Sequence, residues 1–401
     1  MEVADLRDSR RRNSIKPLIT EVHLEDIIEE ALIKLFEFRY NTVLDRVEFR
    51  KKGTDEFYKL GSYHERSILR MLKKLGIKCK KSSLVDILGS DFSPRFDPFL
   101  NYFKHLSKWN SETDYIRQLS NTISVEASDQ EYLETILKKW LVSTVACAMG
   151  KNFNDGIFVL LGPQGIGKTR WIQKLLPEEL KSYYYSGALN TRNKDIAIHL
   201  SETFLYCLDE LEDMTTSKMG MFKANTCESN IRIRRPYGRV AENLTRRASL
   251  VATVNVPRFL KDATGSRRFL TIYTKEINYD HKIDIDKVFS QAYYLYQNGY
   301  QYWFSLNDIK EIEQHNEQFV ERNELQDLIL LHFEKADRSD ATNYLASAEI
   351  AKYIAVHSQK DIKSIPIISL GKELNKLGFL TTKKNGIKLY MLKEQEQNRR
   401  S

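Results

Sequence analysis

The chain has 401 residues, with 62 basic against 54 acidic side chains (net +8), 42% apolar residues, 17 glycines and four cysteines. That composition excludes collagen-like, disulfide-scaffold and wholly disordered classes and leaves room for two to four domains. The longest apolar run, Trp140 to Met149, is too short to span a bilayer, and MEVADLRDSRRRN has no apolar stretch behind its arginines, so the reading is a cytoplasmic protein without a membrane partner.

Residues 1–20 are polar and Arg-rich and read as a basic tail. From Val22 to about Asn41, Leu24, Ile27, Ile28, Leu32 and Leu35 recur at helical spacing. A strand-like stretch, Thr42–Phe49, follows, then helical patterns at His64–Leu75, Ser82–Leu88 and Asp97–Leu106, so residues 21–125 are expected to form a small, mostly helical module. The polar stretch Ser107–Asp114 precedes two more helices, Tyr115–Ile123 and Gln130–Met149.

Residues 155–275 change character. Ile157–Leu161, Phe204–Leu208, Ser249–Val254 and Phe269–Tyr273 are short apolar runs that suit buried strands of a mainly parallel sheet, so the fold class is α/β, with one domain expected over residues 126–318. The aromatic-rich helical sequence 279–318 reads as packing. Beyond it, helices at Glu324–Phe333, Ser347–Ala355 and Ile368–Leu377 and a hairpin turning at Asn385-Gly386 give the order of a winged helix over 319–395, with a short tail at 396–401. A plain helical cap is the alternative. Cys79, Cys147, Cys207 and Cys227 stand far apart and read as reduced, inert thiols.

Gly162-Pro163-Gln164-Gly165-Ile166-Gly167-Lys168-Thr169 has the spacing of a phosphate-binding loop, between a strand and a helix that Pro177 ends. Its glycines let backbone N–H groups face phosphate oxygens, Lys168 reaches the β- and γ-phosphates, and Thr169 offers a hydroxyl to Mg²⁺. Phe204-Leu205-Tyr206-Cys207-Leu208 ends in two carboxylates. Asp209 is placed to hold Mg²⁺ and Glu210 to polarise the attacking water, against the alternative of two solvated acids. A third strand ends in Asn255, suited to sensing the γ-phosphate or else a turn residue before Pro257. Thr264-Gly265-Ser266-Arg267-Arg268 then puts two guanidinium groups on a loop entering a strand, where they can stabilise a transferring phosphoryl group or pair with a nearby acid such as Asp262.

Between Lys218 and Arg247 eight basic residues stand against two acidic ones. Ile231-Arg232-Ile233-Arg234-Arg235 reads as a strand with one charged face and Pro236-Tyr237-Gly238 as a turn. A basic hairpin there, with Lys223, Arg232, Arg234, Arg235 and Arg239, is expected to grip nucleic-acid phosphates, as are Lys383 and Lys384 on the C-terminal hairpin.

The order GPQGIGKT, FLYCLDEL, KANTCESNIRIRRPYGR, SLVATVN and TGSRRF, with FDPFLNYFKHLSKWN upstream, resembles the virulence-associated protein E family of mobile-element replication proteins, which belongs with the superfamily 3 helicases of the AAA+ group. The resemblance covers roughly residues 95–275 and implies an ATP- and Mg²⁺-dependent hexameric ring moving on DNA. It also implies a DNA-binding hairpin built around Lys223 and the arginines, and an arginine finger from the neighbouring subunit. The N-terminal module is too short for the primase that related chains often carry, so a separate primase or origin-binding partner is expected. Two other readings stay open: a nucleotide kinase using the basic segment as a lid, and an initiator whose ATPase is only an assembly switch.

Overall fold

A computed structural model describes residues 24–152, 154–187, 193–213, 230–234, 241–260, 266–321 and 323–395. Its centre is a five-stranded, all-parallel sheet. In chain order the strands are Ile157–Leu161, Tyr184–Ser186, Leu205–Leu208, Ser249–Val254 and Phe269–Tyr273, and in space they run fifth, first, fourth, third, second. Four are the apolar runs read from sequence; Tyr184–Ser186, at the edge, is too short and too polar to stand out. Strands that are buried on both faces need no alternation, and the first, third and fourth are buried at every position.

One face of the sheet rests on the helix Gln130–Ala148, whose residues from Leu141 to Ala148 are all buried, as expected of a helix that is apolar all round. Trp140 packs on Phe158, and its indole N–H donates to the Leu250 carbonyl at 3.1 Å. The upstream segment FDPFLNYF is part of the same core. Asp97 caps the helix Pro98–His105, and Phe99 and Phe103 pack against Phe204. The aromatic residues Tyr293, Tyr296, Tyr300, Tyr302 and Phe304 pack on this core too, as the sequence reading has them.

The first hundred residues depart from a mostly helical module. The helix Leu24–Leu35 stops where Phe36-Glu37-Phe38 begins to alternate, and Phe36–Asn41 pairs with Arg46–Lys51 across a turn at Thr42–Asp45. Phe36, Phe38 and Phe49 are buried together against the helices Ser62–Lys74 and Lys81–Leu88. Period-two burial takes over from the helical period at Phe36, so the expected helix to Asn41 is corrected. Strands Tyr58–Lys59 and Arg95–Phe96 complete a four-stranded sheet, and this part is mixed α/β.

At the other end, the helices Glu324–His332, Ser347–His357 and Ile367–Lys376 enclose a separate apolar cluster. Strands Thr381–Lys384 and Ile387–Glu394 are joined through Asn385 (φ 50°) and Gly386 (φ 81°), the positive angles that a two-residue hairpin demands. The long strand also pairs with Phe333–Lys335 and Asn343–Leu345, two short strands that the sequence did not announce. Among the described residues no helix is long and apolar enough to cross a membrane.

Candidate nucleotide site

The strand order decides where a ligand can sit. The connection leaving the first strand runs toward the second, on one side, while the fourth strand's connection runs to the fifth, on the other. The carboxyl ends of the first and fourth strands therefore flank a topological switch point, where open α/β sheets hold ligands. There a cleft of about 620 Å³ is lined by Gln164, Gly165, Gly167, Lys168, Thr169, Asp209, Glu210 and Asn255, with Arg170, Thr253 and Tyr279. Residues from three motifs dispersed through the chain thus meet at one place, as expected from their positions at strand ends.

The loop is shaped from both sides. Gly162 continues the first strand, its N–H donating to Val254 O, and a Cβ there would lie 2.3 Å from the Thr274 carbonyl. Gly167 has φ +97°, which an L side chain rarely adopts. Ile166 is half-buried against the core. Lys168 is 6% exposed, and its ammonium donates to Gly162 O (2.7 Å), Pro163 O (2.8 Å) and Asn255 Oδ1 (2.8 Å). Burial holds its pKa below the usual lysine value, and the Glu212 carboxylate partly offsets the shift.

Asp209 follows the third strand, one residue past the Ala252–Leu208 pair, so Thr253 of the fourth strand reaches it. Asp209 Oδ1 accepts from Thr253 Oγ1 (3.2 Å) and Thr169 Oγ1 (3.4 Å), and its other oxygen accepts from Ser186. Burial, and then the Asp209 charge, push the Cys207 thiol up, so it stays protonated beneath the site. Glu210 is exposed on the cleft wall at φ 53°, a conformation that costs a non-glycine residue about 1–3 kcal/mol and tends to mark functional positions. The paired oxygens of Thr169 and Asp209 form the hard donor set that Mg²⁺ takes alongside substrate phosphates and water. Among the described residues no group of three or more His, Cys, Asp or Glu gathers, and Mg²⁺ bound in this manner needs none.

Glu212 was not picked out by the sequence reading. The turn Leu211–Asp213 brings its carboxylate back under Asn255, whose N–H donates to Glu212 Oε1 at 2.8 Å, while Glu212 Oε2 is buried with no hydrogen-bond partner among the described residues. Asp-Glu-Leu-Glu shows three acids, but only the backbone turn decides which of them faces the loop lysine.

The arginine pair lies elsewhere. Phe269 pairs with Ile157 and Tyr273 with Leu161, so Arg267 and Arg268 sit at the amino end of the sheet, about 17 Å of strand from the phosphate loop. Arg268 Nε lies 3.2 Å from Asp155 Oδ1; Asp262 is outside the described residues. Arg267 is exposed in a second cleft beside Asn152, Asp155 and Trp303. Neither guanidinium can reach this chain's own loop.

In the basic segment, Asn230–Ile233 pairs with Glu242–Thr245 as an antiparallel hairpin. Ile233 and Leu244 bury one face against Ala197, and Arg232 and Arg234 are exposed. Lys223, Arg235 and Arg239 lie outside the described residues. Two cations of the segment serve the fold: Arg246 is 3% exposed and donates to Asn154 O, and Arg247 pairs with Asp97 at 2.9 Å. Lys383 and Lys384 are exposed on the C-terminal hairpin.

Residues 103–321, more than half the chain, match the virulence-associated protein E-like domain. The chain belongs to that family. The matched span holds all five strands of the central sheet, the cleft and the arginine pair of this virulence-associated protein E-like chain. Its fold is similar to the apo structure of the NrS-1 C-terminal region, with a TM-score of 0.50 and 11% identity over 93% of this chain and all of that one. The SCCmec type IV Cch helicase is similar at a TM-score of 0.30 and 12% identity, over 85% of this chain and 73% of that one, a likeness too low to bear on the fold. No curated protein matches the sequence.

Proposed function

We propose that this chain is an ATP-driven DNA helicase of mobile-element or prophage replication, working with Mg²⁺ in a hexameric ring. The observation that carries the reading is the meeting of Lys168, Thr169, Asp209, Glu210 and Asn255 in one cleft at the switch point of the sheet. Lys168 and the loop backbone from Gly162 through Gln164, Gly165 and Gly167 bind the β- and γ-phosphates. Thr169 and Asp209 would hold Mg²⁺, which when bound would neutralise charge developing on those oxygens. Glu210 takes the proton of the attacking water and Asn255 orients that water against the γ-phosphate. An arginine finger completes the site from a neighbouring subunit, and Arg267 is the candidate, since Arg268 is engaged by Asp155.

Lys223, Arg232, Arg234, Arg235 and Arg239 contact DNA phosphates in the ring, and Lys383 and Lys384 add contacts from a winged helix over residues 319–395. A separate primase or origin-binding protein supplies what the N-terminal part, residues 21–125, does not. The NrS-1 likeness supports the fold of this arrangement, and the family supports its setting in mobile-element replication.

The test is the fate of the γ-phosphate. Release of inorganic phosphate from ATP, increased by single-stranded DNA, is expected. Transfer to a small acceptor with no response to DNA would favour a nucleotide kinase instead.

A further inference from the structure

We infer that Tyr279 is the residue on which the nucleotide's base stacks, making the cleft select a nucleoside triphosphate over a bare polyphosphate; the inference rests on the nucleotide reading of the cleft. Six residues after the fifth strand, Tyr279 is fixed by a local anchor. Glu276–Ile277 pairs with Ile123–Ser124, and Asn278 N donates to Thr122 O at 2.9 Å. The chain is thereby turned back over the phosphate loop. Tyr279 lies so close to Gly167 that a Cβ on that glycine would be 2.1 Å from the ring's Cδ1. Gly167 thus has a second reason to lack a side chain beyond its positive φ.

The strand order sets the direction of a bound nucleotide. The fifth strand flanks the first on one side, and the fourth and third lie on the other. Asp209, Thr253 and Asn255 all belong to the fourth- and third-strand side, which fixes the γ-phosphate there. The ribose and base then extend the opposite way, across Gly167, to the side of Tyr279. Among the described residues that line the cleft, Tyr279 is the one aromatic, and it is 37% exposed. The Arg170 guanidinium lies 5.3 Å from the ring centroid, adding a cation next to the aromatic surface. An exposed ring beside a phosphate loop, on a segment anchored by backbone pairing, is suited to stacking, which every base accepts because every base has a π-face.

Calorimetric titration of the full chain with ATP and with inorganic tripolyphosphate tests this. Tyr279→Ala is expected to weaken ATP binding roughly tenfold or more while leaving tripolyphosphate binding unchanged. Tyr279→Phe should keep wild-type affinity for both. Tyr279→Leu, which retains apolar bulk over Gly167 without a π-face, should lose ATP affinity as Ala does. Equal weakening of both ligands in Tyr279→Ala, or full ATP affinity in Tyr279→Leu, would overturn the stacking role and leave a ring that only supports the loop. Wild-type protein that binds neither ligand would instead overturn the nucleotide reading, and the stacking role with it.

Discussion

The Lys168 ammonium and the Asn255 amide oxygen, 87 residues apart in sequence, are joined by a 2.8 Å hydrogen bond. The bond follows from register: Val254 pairs with Leu161, so the residue after the fourth strand stands beside the loop that follows the first. The group proposed to bind the terminal phosphates is thus already tied to the group proposed to sense them.

Lys168→Ala should lower ATP hydrolysis by roughly 10²-fold or more, because it deletes the cation facing the charge that develops in phosphoryl transfer. The fold should persist, because the substitution removes no apolar core side chain, and circular dichroism checks this. Glu210→Gln should bind ATP normally and turn it over about 10²–10⁴-fold more slowly, the usual value of a general base. Wild-type turnover by Glu210→Gln would remove that residue from the chemistry.

Glu212→Gln separates charge from hydrogen bonding, because the amide oxygen can still accept from Asn255 N. Burial lowers the Lys168 pKa and the Glu212 charge raises it, so neutralising Glu212 lowers it further. A lysine that binds phosphate loses its function as pH rises through its pKa. The alkaline limb of the kcat/KM profile for ATP should therefore move to lower pH, with the acid limb in place. An unmoved alkaline limb would show that Glu212 does not act on Lys168.

Arg232→Ala with Arg234→Ala should weaken DNA binding and flatten its log–log salt dependence by about one unit per lost phosphate contact. Ile233 and Leu244 bury the hairpin's other face on Ala197 and remain in the variant, so ATP hydrolysis without DNA should survive. An unchanged salt slope would place the DNA contacts elsewhere.

The cleft was legible in the sequence because its parts are local: a glycine-spaced loop and apolar strands ending in Asp209 and Asn255. What the sequence hid is set by register and by turns. Glu212 enters through a single turn after Glu210, Ser186 through an edge strand of three residues, and Tyr279 through pairing with a segment more than 150 residues earlier. The N-terminal error has the same origin, since Phe36 and Phe38 satisfy a helical period as well as an alternating one until the partner strand with Phe49 is known. Arg246 and Arg247 add to the charge count of the basic segment, yet a count cannot distinguish a cation engaged by carbonyls and Asp97 from one facing solvent.

The position of Arg267 makes a shared active site testable. Because it stands at the far end of the sheet from its own phosphate loop, it can contribute to hydrolysis only across a subunit boundary. Arg267→Ala and Lys168→Ala proteins, each inactive alone, should recover partial ATP hydrolysis when mixed, since some interfaces then combine an intact loop with an intact finger. A finger's loss lowers turnover by ~10³–10⁵, far beyond the effect of an exposed ion pair worth about 0–1 kcal/mol. A mixture that co-assembles and stays inactive would rule the shared site out.

Strand separation on a forked DNA duplex, followed by release of a labelled strand, tests the helicase reading most directly. Wild-type protein with ATP and Mg²⁺ should release the strand, and Lys168→Ala protein should not, although it still binds the fork. Vigorous DNA-stimulated ATP hydrolysis with no strand released would contradict the helicase account and leave an ATP-switched initiator in its place.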